Sequence, residues 1–230
     1  MTQKIIETIA LSRHFGNGDT LVKALDQISL TIHSGEFSAI VGPSGSGKST
    51  LLHLIGGLDQ PSNGEIRLSG QAISQMSGSA LSHFRRDHIG FIFQAYNLIP
   101  VLSAEENVEY IMMLQGIGDA ERRERTHAIL KRVGLAGKEK RRPAQLSGGQ
   151  QQRVAVARAM VSQPDIILAD EPTANLDSQT GIELLELMKE LNEQHGMTFV
   201  FSTHDAKIMD RASRLIHLQD GRITTDSEAR

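Results

Sequence analysis

The sequence predicts an α/β fold, and three observations carry that expectation. Strand-like and helix-like runs alternate at both ends of the chain, as in a sheet with helices packed on it. A period-two pattern precedes residue 42, so an antiparallel β subdomain is expected beside a mixed sheet core. From about 95 to 160 the chain reads as helical, which predicts an inserted helical subdomain within a single domain spanning 1–230.

Each element has its own signal. Ile28, Leu30 and Ile32 alternate with Ser29 and Thr31, the pattern of a half-buried strand. "FSAIV" at 37–41 is a short apolar run that stops before Gly42, as a buried strand feeding a loop would. "KSTLLHLI" then reads as a helix closed by Gly56 and Gly57. "GEIRLSG" at 64–70 alternates again and is assigned to the early antiparallel layer, and "IGFIF" at 89–93 is a further apolar strand. Ser103 and Glu106 form a capping box ahead of "NVEYIMML". Asp119 is expected to cap "AERRERTHAILKRV", which stops at Gly134. Strand patterns return in "DIILAD" (165–170) and "TFVFST" (198–203). Between them Ile182, Leu185, Met188 and Leu191 mark an amphipathic helix ending at Gly196. Asp220-Gly221, inside "RLIHLQDGRITT", is a two-residue hairpin signal.

Composition narrows the function classes. At 230 residues there is length for one large domain or two small ones with a real core. A net charge of −3 gives no electrostatic case for a nucleic-acid partner, and the basic run "KEKRR" at 138–142 reads as a solvated loop. The absence of cysteine excludes disulfides, thiolate metal sites and thiol nucleophiles, and fits a reducing compartment. The N-terminal apolar stretch is broken by Glu7 and does not read as a signal peptide. No run of roughly 18 apolar residues suggests a membrane span. The chain is expected to stay where it is made unless a partner carries it to a membrane.

The chemistry concentrates in a few stretches. In "GPSGSGKST", Gly42, Gly47, Lys48 and Ser49 satisfy G-x-x-x-x-G-K-[ST], between a strand pattern and a helix pattern. The residues Gly42, Pro43, Ser44, Gly45, Ser46, Gly47, Lys48, Ser49 and Thr50 are therefore candidate phosphate binders. Backbone N–H groups would cradle the anion, Lys48 would reach the outer phosphates, and Ser49 would ligate Mg²⁺. "IILADEP" supplies Asp170, suited to orienting Mg²⁺, and Glu171, suited to polarising an attacking water. Alone that pair is ambiguous; with the glycine-rich loop it becomes the second half of a nucleoside triphosphate site. His204 follows a strand at the sheet edge where α/β proteins bind ligands. Gln94 ends another strand and leads into the helical region, where it could contact Mg²⁺.

"QLSGGQQQ" at 145–152 is a second glycine nest. Ser147 and Gln150 match a capping box, which leaves Gly148 and Gly149 unexplained. Two glycines at a helix start admit an anion to bare N–H groups, yet this nest has no lysine of its own. It reads as half a phosphate site, completed by the glycine-rich loop of a second copy, with two ATP molecules buried between the copies.

Together "GPSGSGKST", "LSGGQ", "ILADEP", "NLD" and "STHD", in that order, resemble the ATP-binding-cassette (ABC) ATPases, a P-loop NTPase family. The resemblance implies a homodimer using ATP and Mg²⁺, with Lys48 facing Ser147 and Gly149 of the other subunit, beside Gly148 and Gln150. It makes Gln94 the Q-loop glutamine and a metal contact, Glu171 the catalytic carboxylate, and His204 the switch histidine. Asp177 in "NLD" falls in the loop coupling the two centres, and Phe15 where an aromatic ring stacks on adenine.

"GFIFQAYNLIPVLSAEENV" and "GGLDQPSNGEI" are similar to the lipoprotein-release and macrolide-export ATPases of the LolD and MacB type. That implies an integral membrane permease partner (MacB-, LolC- or LolE-like), a place on the cytoplasmic face of the inner membrane, and export or extraction of lipoprotein, lipid, peptide or drug. Leu98, Ile99, Val101 and Leu102 would then receive a partner helix. Force transmission of the cell-division type and soluble iron–sulfur assembly are the alternatives. The long insertions of repair members and the paired cassettes of translation members are absent from the sequence.

Overall fold

Two sheets organise the chain in the computed structural model, which describes residues 3–228, with the backbone alone at 19, 206 and 207. The smaller sheet is antiparallel and contains β1 (Lys4–Phe15), β2 (Val22–His33), β4 (Asn63–Leu68) and β5 (Gln71–Ala72), in the order β2-β1-β4-β5. The larger sheet contains β3 (Phe37–Val41), β6 (Ile89–Ile92), β7 (Ile166–Ala169), β8 (Thr198–Thr203), β9 (Arg214–Gln219) and β10 (Arg222–Glu228). Its order is β10-β9-β3-β8-β7-β6, parallel throughout except for the β9–β10 hairpin. Asp220 and Gly221 turn that hairpin with φ of 48° and 74°, the left-handed pair such a turn demands.

Strand alternation divides the core between the two faces of this sheet. Phe37, Ala39, Val41, Phe199, Phe201, Ile167 and Ala169 join one apolar cluster; Ile40, Val200, Ile166 and Leu168 join the other. Buried on both sides, these strands read as near-continuous apolar runs. The first face is covered by α3 (Ala104–Leu114), α4 (Asp119–Arg132), α5 (Gly148–Met160) and α6 (Ser178–His195). The second receives α1 (Lys48–Ile55) and the apolar face of the small sheet.

Local chemistry sets the helix ends. Ser103 and Glu106 form the expected capping box on α3, with Ser103 Oγ accepting from Glu106 N at 3.2 Å. Gly196 closes α6 in the left-handed conformation. Asp119 is not a cap: Gly118 occupies that position, and the Asp119 carboxylate pairs with Arg122 and Arg123 one turn on. The helix α2 (Gly78–His88) went unforeseen because its buried face is only Leu81 and Phe84, too short a stripe to register as periodicity. A four-residue turn of helix, α7 (Ala206–Met209), follows β8.

Candidate functional site

Because β3, β8 and β7 are parallel neighbours, the segments that follow them leave the same edge of the sheet. That geometry gathers the 42–50 loop, the Asp170–Glu171 pair and His204 in one place.

The loop after β3 is shaped by close packing as well as by its own turns. A Cβ on Gly42 would stand 2.1 Å from the Leu218 carbonyl oxygen, and one on Gly47 2.5 Å from that of Ala24. Gly45 has open space around it but a φ of 79°. The buried Lys48 Nζ donates to the carbonyls of Gly42 and Pro43, both at 2.9 Å, which places the ammonium inside the arc. Ser46 Oγ is buried without a hydrogen-bond partner. A buried unsatisfied hydroxyl is costly unless something polar meets it, so this loop fits an anionic ligand. Pro43, Ser44 and Ser49 are exposed, and Thr50 is half-buried on α1.

Ser49 Oγ donates to Asp170 Oδ1 at 2.9 Å, joining the loop to the end of β7. Ser202 Oγ donates to the same Asp170 oxygen at 2.7 Å and accepts from Glu171 N at 2.9 Å. Glu171 adopts a φ of 44°, a strained left-handed conformation for a residue with a side chain. Its Oε1 lies 3.1 Å from His204 Nδ1. No cluster of three His, Cys, Asp or Glu forms a metal cage among the described residues. Ser49 and Asp170 instead offer hard oxygen donors, the partial set that suits Mg²⁺ when nucleotide phosphates complete its shell.

Phe15 ends β1 with 42% of its surface exposed, and the Arg13 guanidinium covers one ring face at 4.5 Å. Arg13 is itself held by a two-pronged pair to Asp59. Phe15 is therefore an accessible ring rather than a core residue. Gln94 is exposed, and its backbone oxygen accepts from Asn175 Nδ2 at 2.8 Å.

Within a single chain the second nest is a cap. Ser147 Oγ accepts from Gln150 N, and Gln150 Oε1 from Ser147 N, each at 3.3 Å. The glycines also have steric reasons: a Cβ on Gly148 would meet Tyr96 Oη at 2.9 Å, and one on Gly149 would meet Thr180 Cγ2 at 2.7 Å. Asp177 caps α6 through Thr180 N at 3.1 Å and the Thr180 hydroxyl at 2.6 Å. That hydroxyl, with the helix amides, holds the Asp177 carboxyl below the ordinary value.

Sequence reasoning missed Ser202, Gln152 and Arg158. Gln152, fully buried on α5, donates to the Pro172 carbonyl at 2.7 Å. Arg158 reaches the carbonyls of Tyr96 and Asn97, two residues of positive φ, and burial lowers its pKa.

A groove of about 590 Å³ opens beside this helix, lined by Leu58, Phe91, Phe93, Ile99, Ile111 and Leu114 among others. Of the four apolar residues expected at a partner surface, only Ile99 lines it. Leu98 packs against the core instead, Leu102 is half-buried, and Val101 is 69% exposed elsewhere.

The family model described as ABC transporter matches residues 25–174. The macrolide export ATP-binding/permease protein MacB of Hyphomonas neptunium is 50% identical over 227 residues, 99% of this chain and 35% of that protein. MacB of Acinetobacter baylyi is 47% identical over 98% of this chain and 34% of its own length. The chain thus spans about a third of the curated relatives it matches. Among solved structures, the dimeric ATP-binding cassette MJ0796 bound to ADP and Pi superposes with a TM-score of 0.91 at 42% identity, over 98% of this chain and 99% of that one. The cbiO1 protein of Clostridium perfringens, part of the transporter complex cbiONQ, gives 0.88 at 30% identity, over 99% and 89%. A glycine-rich loop that fits an anion, a carboxylate pair beside it and these likenesses agree: the chain belongs to the ABC transporter family, as one of its ATP-hydrolysing nucleotide-binding domains.

Proposed function

We propose that this domain works as a homodimer that encloses two ATP–Mg²⁺ between its protomers and drives a membrane permease exporting or extracting its substrate. The observation that carries this reading is the division of the site. The 42–50 loop, Asp170, Glu171 and His204 share one sheet edge, while Ser147 to Gln150 open a separate helix with no lysine beside them in their own nest.

In the assembled centre, Lys48 and the loop amides hold the phosphates, and Phe15 offers its free face to the base. Ser49 and Asp170 would hold Mg²⁺, with Gln94 as a further oxygen donor. Bound there, the ion would supply charge neutralisation to the transferring phosphoryl group. Glu171 takes a proton from the attacking water, and His204, hydrogen-bonded to it, orients its carboxylate. Ser147, Gly148, Gly149 and Gln150 of the opposing protomer complete the phosphate shell, beside Asp177.

The dimeric state of the similar cassette MJ0796 supports the homodimer, and the similarity to the ATP-binding/permease protein MacB supports a permease partner. The apolar groove beside Ile99 is the surface we assign to that partner, which would hold the domain at the cytoplasmic face of the membrane. No helix among the described residues is long and apolar enough to cross a membrane.

Mixing tests the division. Lys48→Ala disables one half of each centre and Ser147→Glu the other, so either homodimer should be inactive. Hybrids should recover one working centre each. Silent hybrids of proven assembly would overturn the reading.

A further inference from the structure

The structure assigns to Gln152 the role of a positioning residue: from the helix that carries the second glycine nest, it props the Glu171–Pro172 turn of its own chain. This deepens the proposed function and rests on its reading of Glu171 as the base.

The geometry is specific. Gln152 has no exposed surface, and its Nε2 donates to the Pro172 carbonyl at 2.7 Å, one residue beyond Glu171. Its Oε1 is buried with no hydrogen-bond partner. A half-satisfied buried amide is a poor choice for stability, since an apolar side chain of the same length would fill the space without the desolvation cost. Its use lies in the bond it does make.

The turn it holds needs holding. Glu171 sits at a φ of 44°, a region that side-chain-bearing residues leave when their neighbours relax. On the sheet side Ser202 Oγ accepts from Glu171 N; on the helix side Gln152 grips the next carbonyl. The turn is thus pinned from both flanks, and the carboxylate is aimed by the pair. Proline suits this place, because its ring fixes φ directly after the strained Glu171.

Because α5 begins at Ser147 and Gly148, the helix faces the partner's nucleotide at its start while steadying its own chain's base five residues later. Gln152 therefore acts in cis, although the motif beside it acts in trans. That distinction makes the inference testable.

The experiment uses hybrids in which one protomer carries Lys48→Ala, so that a single centre works. This centre draws its loop and Glu171 from the intact protomer and its glycine nest from the Lys48→Ala protomer. Gln152→Met, a near match in volume, is placed in one protomer or the other; Gln152→Asn, which withdraws the amide by one methylene, repeats the pair with polarity kept. In the protomer that supplies Glu171, either change should lower kcat about tenfold, with KM for ATP changed less than about twofold. In the other protomer kcat should not move. An effect confined to the nest-bearing protomer, or equal in both, would overturn the assignment. So would a fall in melting temperature without a fall in kcat. Hybrids already inactive with Gln152 intact would instead strike the divided-site reading.

Discussion

Ser202→Ala removes one oxygen and two hydrogen bonds at the centre of the site. The hydroxyl is fully buried; it donates to Asp170 at 2.7 Å and accepts from Glu171 N at 2.9 Å. Its loss leaves the Glu171 amide without that partner, a penalty of about 1–3 kcal/mol for a buried donor. The left-handed conformation of Glu171 stores a further ~1–2 kcal/mol that the bond helps to sustain. If half of this sum is felt only when the base acts, the barrier rises by roughly 1–2.5 kcal/mol and kcat falls about 5- to 70-fold. Nucleotide binding, which on the proposed reading rests on Lys48 and the loop amides, should stay within about twofold. Ser202→Cys keeps a donor, though a weaker and larger one, and should fall between Ser202→Ala and the unaltered protein. Steady-state hydrolysis, a nucleotide-binding titration and a thermal melt read the three quantities separately. A Ser202→Ala protein with lower stability but unchanged kcat would refute the reasoning, because the strained turn would then need no hydroxyl.

Two further outcomes follow from the same geometry. Gly149→Ala would place a Cβ 2.7 Å from Thr180 Cγ2, and the Thr180 hydroxyl is pinned to Asp177, so the first turn of α6 must yield. Partial loss of that cap should cost about 0.5–2 kcal/mol, readable as a lower melting temperature in the monomer, apart from any effect on ATP. For Glu36, burial pushes the carboxyl up, but the His33 amide, the Ser38 hydroxyl and the Arg214 guanidinium together outweigh it and hold the group below its ordinary value. A depressed folded-state value gives stability that is present above the unfolded value and lost as pH falls through the folded one. Glu36→Gln should therefore flatten the acid limb of a melting-temperature profile, and an unchanged limb would show that other carboxylates dominate it.

What the sequence disclosed was local. Strand β8, helix α1 and the Ser103–Glu106 box are written in spacings of two to four residues, so each could be read where it stands. The glycine-rich loop was legible as a strand-to-helix turn for the same reason, since its nine positions are contiguous between β3 and α1. Ser202 and Gln152 were not, because their partners lie 32 and 20 residues away and neither type signals its role alone. The glycines at 148 and 149 suggest anion access from sequence, yet Tyr96 and Thr180 also crowd them, and no spacing rule links those positions. Helix α2 failed differently: Ser77 does cap it, but a serine before glycine and serine reads equally well as a loop.

Those long-range contacts converge on one element. Helix α5 starts at the capping box of Ser147, holds Pro172 through Gln152, grips the Val133 carbonyl through Arg153, and clamps Tyr96 and Asn97 through Arg158. Its central residues Val154, Ala155, Val156 and Ala157 are fully buried, so the helix cannot bend without opening the core. Tyr96 and Asn97 both hold positive φ, and Asn97, Ile99 and Arg158 all line the apolar groove. The half-buried Arg158 guanidinium stays charged, and the two carbonyls help offset its partial desolvation while that segment keeps its shape. An occupant that shifts the 96–99 segment therefore acts on α5 through Arg158. On the proposed reading, such a shift moves the glycine nest and the prop under Glu171 together, and the partner's grip and the base's aim become one mechanical variable.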